Sequence, residues 1–73
     1  MPELRNIKAK DAVKAFMRAG LEKRPGGKGD HINLKAKNGM LITIPNRGTV
    51  SIGLLKAAIK KAELTEEEFL NLL

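Results

Sequence analysis

Two short runs of strict alternation, separated by Lys37-Asn38-Gly39, constrain this chain more than any other feature. Residues 30–36 place Ile32, Leu34 and Ala36 on one side of a strand and His31, Asn33 and Lys35 on the other, and residues 40–45 repeat the pattern with Ile and Thr. Because the side-chain period is two, a slip of one residue would carry every apolar group to the wrong face. A two-residue Asn-Gly loop pairs Leu34 with Thr43 and Asn33 with Ile44, which mixes the faces. A three-residue loop with Gly39 in the left-handed region pairs Ala36 with Met40, Leu34 with Ile42, Asn33 with Thr43 and Ile32 with Ile44. The second arrangement is expected, since it leaves one apolar face and one face carrying His31, Asn33, Lys35 and Thr43.

An apolar sheet face must be covered, and the rest of the chain offers the cover. Residues 9–19 predict a helix with Ala12, Val13, Phe16 and Met17 on one side, Lys10, Lys14 and Arg18 toward water, Asp11 in the positive first turn and Gly20 as the stop. Residues 4–8 read as a lead-in, and residues 21–24, too short for a helix between Gly20 and Pro25, as a first strand. Beyond Asn46-Arg47-Gly48, Thr49 or Ser51 caps a second helix whose Leu54, Leu55, Ala58, Ile59 and Ala62 form a stripe opposite Lys56, Lys60 and Lys61. The chain turns again near Glu63 and Leu64. Thr65-Glu66-Glu67-Glu68 is then a capping box that opens a short last helix, with Phe69, Leu70 and Leu73 available for packing. The expected fold is a single α+β domain over residues 1–73: helix, three-stranded antiparallel sheet, helix, short helix. Both main helices lie on the apolar face, and the other face stays open.

At 73 residues there is room for a modest core and one site. The chain has no Cys, hence no disulfide and no thiolate metal cage, and one His cannot build a zinc site, so neither metal nor other cofactor is expected. No run approaches the roughly 20 apolar residues of a membrane span, and the first residues lack the apolar centre of a signal peptide. A soluble, cytoplasmic protein is expected. Its charge is uneven: all 14 basic residues lie in residues 1–62 beside four acids, a balance of +10, whereas residues 63–73 hold four Glu and no base, −4. A basic body suits a polyanion or an acidic partner, and equally it keeps a small protein in solution.

His31 follows the glycine-rich, basic approach Pro25-Gly26-Gly27-Lys28-Gly29-Asp30. Glycines at 26, 27 and 29 permit close approach of a phosphate to the backbone, Lys28 and Arg24 neutralise it, and Asn33 shares the face of His31. The same residues also describe an ordinary hairpin loop beside a surface histidine, and the local pattern leaves both readings open.

Lys28-Gly29-Asp30-His31 after a helix ending Arg18-Ala19-Gly20-Leu21, then Thr43-Ile44-Pro45, Gly48-Thr49, Leu54-Leu55-Lys56 and Thr65-Glu66-Glu67-Glu68-Phe69-Leu70, resembles the HicA (YcfA-like) toxins of HicA/HicB toxin-antitoxin systems. The resemblance spans nearly the whole chain. It implies a double-stranded-RNA-binding-domain-like fold, an mRNA interferase activity with one catalytic histidine on the sheet, and neutralisation by a HicB antitoxin. The family histidine maps onto His31. Two departures stand out: many members have Ser where this chain has Asp30, and many an aromatic where it has Leu34.

On that basis His31 is the expected catalytic base of a metal-independent endoribonuclease acting on mRNA or other single-stranded RNA. Arg24, Lys28, Asn33 and Lys35 are its expected phosphate contacts, and Gly27 and Gly29 the loop backbone. With no Tyr or Trp to stack bases, affinity is expected from charge more than from base reading. The alternative is a non-catalytic RNA-binding module of the same fold.

Overall fold

The computed structural model describes residues 4, 6–25 and 31–73. Its elements run α1 (Ala9–Arg18), β1 (Glu22–Arg24), β2 (His31–Lys35), β3 (Leu41–Pro45), α2 (Ile52–Lys61) and α3 (Glu66–Asn71), an α+β order compatible with the double-stranded-RNA-binding-domain-like fold. The sheet is antiparallel in the order β1-β2-β3. Its hairpin takes the three-residue loop: Gly39 has φ +88°, the Ala36 amide donates to the Met40 carbonyl at 2.9 Å, and Ile32, Asn33 and Leu34 face Ile44, Thr43 and Ile42. Within the turn the Asn38 Oδ1 accepts from the Met40 amide (2.9 Å), and its Nδ2 donates to the Lys61 carbonyl (3.0 Å). The hairpin is thereby tied to the end of α2.

Leu34, Ile42 and Ile44 are buried beneath the helices, with Ala12, Val13 and Phe16 of α1 and Leu55, Ala58 and Ile59 of α2 in the same core. Of the two candidate caps for α2, Ser51 is the one used, accepting from the Leu54 amide at 3.3 Å, while Thr49 bridges to Lys8. Helix α3 opens on the expected capping box. The Thr65 hydroxyl accepts from the Glu68 amide (3.0 Å), and the Glu68 carboxylate accepts from the Thr65 amide (2.9 Å).

Two expectations need correction. Met17 is 47% exposed, because the buried stripe of α1 is turned toward Ala15; α3 docks on that side, where Arg18 Nη1 donates to the Leu72 carbonyl at 2.7 Å. Leu73 is likewise exposed, and Leu72 packs against the core in its place. The lead-in is part of the core: Leu4 and Ile7 are buried, and the Ile7 carbonyl accepts from the Val50 amide at 2.9 Å.

Candidate nucleic-acid interface

Register alone assembles the open face. Glu22, Lys35 and Leu41 form one cross-strand row, Arg24, Asn33 and Thr43 the next, and His31 with Pro45 the last. His31 is the first residue of β2 and is exposed, as are Arg24, Lys35, Leu41 and Thr43 around it. The opposite faces of β2 and β3 are sealed, Leu34 and Ile44 being fully buried. The imidazole therefore stands on the solvent side of a sheet whose other side is packed.

Arg24 and Thr43 are both diagonal neighbours of His31 across the ladder, about 7 to 8 Å away and within reach of a long side chain. Asn33 lies two residues along β2, and its Oδ1 accepts from the Thr43 hydroxyl at 2.9 Å. That bond fixes the amide plane and leaves the Nδ2 donors to point elsewhere. Arg24 carries a loose partner, Glu22, at 3.8 Å; both side chains are largely exposed, so the pair adds little to stability and the guanidinium can leave it. A groove on this face is lined by Arg24, Asn33, Lys35 and the exposed Leu41, among others. It brings together three of the residues singled out in the sequence. Lys35 stands four residues from His31, about 13 Å along the strand.

Gly27, Lys28 and Gly29, with Gly26 and Asp30, lie outside the described residues. Two participants go beyond the sequence expectation: Glu22 as the partner of Arg24, and Leu41 as an apolar contribution to the groove. The signal for Leu41 is an apolar residue at an open-face position of its strand, opposite Lys35. Among the described residues, no three of His, Cys, Asp and Glu gather as a metal-binding group. No helix there is long and apolar enough to cross a membrane.

The family model for the HicA toxin of bacterial toxin-antitoxin systems matches residues 9–64. The chain belongs to the HicA toxin family. Comparison with curated proteins gave no match. The matched span of this HicA toxin runs from the first residue of α1 through the sheet and α2, and so includes His31 and its neighbours on the open face. Helix α3 falls beyond it, although Phe69 from that helix is fully buried in the HicA core. Membership of the HicA family implies a cognate antitoxin as partner.

Proposed function

We propose that this HicA toxin is a metal-independent endoribonuclease, an mRNA interferase of the cytoplasm that uses His31 as its catalytic base. The observation that carries the reading is the exposed imidazole on an open sheet face, with Arg24 diagonal to it and Asn33 held by Thr43. RNA supplies its own nucleophile. Neutral His31 takes the proton of a ribose 2′-hydroxyl, the 2′-oxygen bonds to the adjacent phosphorus, and the bond from phosphorus to the 5′-oxygen breaks. Lys28 or a water returns a proton to that leaving oxygen. The products are a 2′,3′-cyclic phosphate and a 5′-hydroxyl, and no step calls for a metal.

Arg24 and Lys28 neutralise charge on the phosphoryl oxygens, Asn33 donates to them, and Lys35 holds a neighbouring phosphate in the groove. Gly27 and Gly29 take the loop-backbone role that glycine permits beside a phosphate. A HicB-type antitoxin neutralises the toxin by covering the same basic face, so inhibitor and substrate exclude one another.

The test is cleavage of labelled RNA by wild type and by His31→Ala, with folding checked by circular dichroism. General-base assistance is worth about 10² to 10⁴ in rate, and a loss of that size with RNA binding retained is the expected result. Wild-type cleavage by a folded His31→Ala protein would remove His31 from the chemistry. Fragmentation of DNA as readily as RNA would remove the 2′-hydroxyl step, and wild-type binding without cutting would leave a non-catalytic RNA-binding module.

A further inference from the structure

The segment that leaves β3 doubles back onto the start of α1. Thr49 bridges to Lys8, the Ala9 amide donates to the Gly48 carbonyl at 3.0 Å, and Gly48 takes φ +62° to make the bend. Between the two strands of chain lies a concave cleft. Its floor is buried Ala9 with Gly48, and its rim is Lys8, Lys10, Asn46 and Arg47, all exposed. Every ionisable side chain among these described lining residues is a cation.

The position of the cleft relative to His31 follows from the ladder. Pro45 pairs directly with His31, which sets their Cα atoms about 5 Å apart. Arg47 is two residues further on, at most about 7 Å of chain. The cleft thus lies at the end of the sheet that carries His31, with the Arg47 backbone within about 12 Å of that of His31. A single strand lying across His31 from the groove of Arg24, Asn33 and Lys35 would reach the cleft by continuing past that end of the sheet. An apolar floor under a cationic rim fits a nucleotide, with ribose on the floor and phosphate on the rim, and Asn46 offers an amide to a base edge.

We infer that the cleft of Lys8, Lys10 and Arg47 is a second phosphate-and-ribose subsite for the RNA strand whose scissile linkage lies at His31. The inference rests on the RNA reading of the open face, and binding rather than cleavage tests it. The probe is a fluorescent 2′-O-methyl oligoribonucleotide of about a dozen nucleotides, which keeps every phosphate and lacks the nucleophile. Its affinity is measured by anisotropy across a series of salt concentrations for wild type, for Lys10→Ala with Arg47→Ala, and for Lys8→Gln with Lys10→Gln. The last variant leaves Arg47 and its surroundings in place should the first not fold. Lys56→Ala with Lys60→Ala, on the exposed side of α2, removes equal charge elsewhere.

Each phosphate of a single strand that is no longer neutralised by a cation lowers the steepness of log affinity against log salt by about 0.7, so a drop of about 1.4 is expected for either cleft variant. The α2 pair should give less than half of that. Wild-type binding whose slope neither cleft variant alters, or which the α2 pair alters equally, overturns the subsite and leaves the RNA reading standing. Binding of polyglutamate that depends on the cleft, with RNA indifferent to it, assigns the cleft to an acidic protein segment and also overturns the proposal. Absence of any wild-type binding to the oligonucleotide overturns the RNA reading itself.

Discussion

Glu63 ends α2 with φ +59°, a left-handed conformation that costs an L-residue about 1 to 2 kcal/mol. Its amide and that of Leu64 donate to the Lys60 and Ile59 carbonyls, both at 3.0 Å, the same two-bond closure that Gly20 and Leu21 make at the end of α1. The chain uses glycine at one of these stops and glutamate at the other. Glu63→Gly is therefore expected to stabilise the fold by about 0.5 to 1 kcal/mol after the extra flexibility of the unfolded chain is subtracted. In a domain of this size that raises the thermal midpoint by about 2 to 8 °C in a calorimetric scan. Thr43→Val tests a different residue-scale role. The exchange keeps the shape of the side chain and removes the hydroxyl that orients Asn33. RNA affinity is expected to fall a few-fold, the worth of about one net hydrogen bond, with the thermal midpoint nearly unchanged.

At the scale of elements, the hairpin is readable because two independent signals, alternation and turn chemistry, admit one common register. Both helix stripes and the capping box of α3 are readable for a similar reason. Met17 is not: it lies at the border of its stripe, and the side of α1 that is covered depends on where α3 docks, a tertiary fact. The lead-in is too short to show a period, so its burial of Leu4 and Ile7 leaves no pattern to read. In the candidate site, His31, Asn33 and Lys35 share a face by period alone, whereas the pairing of Arg24 with Glu22 depends on side-chain conformers that no spacing specifies. Helix α3 is short, yet its Phe69 ring packs on Phe16 with centroids 4.8 Å apart at 45°. Phe69→Ala should cost about 3 to 5 kcal/mol, a large part of the net stability of a 73-residue domain, and urea unfolding would measure it. A variant that kept the wild-type midpoint would show α3 to be peripheral.

For the molecule as a whole, charge and layering divide the labour. Helix α3, with Glu66, Glu67 and Glu68 in its first turn, packs against α1 and α2, while His31, Arg24 and Lys35 occupy the uncovered face of the sheet. RNA binding should accordingly weaken steeply as salt rises, and the cognate antitoxin and RNA should displace one another in a competition titration. A ternary complex with both bound to the open face would contradict that. The sheet also has two unlike borders. Every residue of β1 is charged, Glu22-Lys23-Arg24, whereas β3 has none from Leu41 to Pro45 and ends the sheet on its other side. Edge strands of that second kind invite pairing with another copy, and a net charge of +6 opposes it. Concentrated salt should, by screening that charge, let the protein clump, and light scattering after a salt jump would register it.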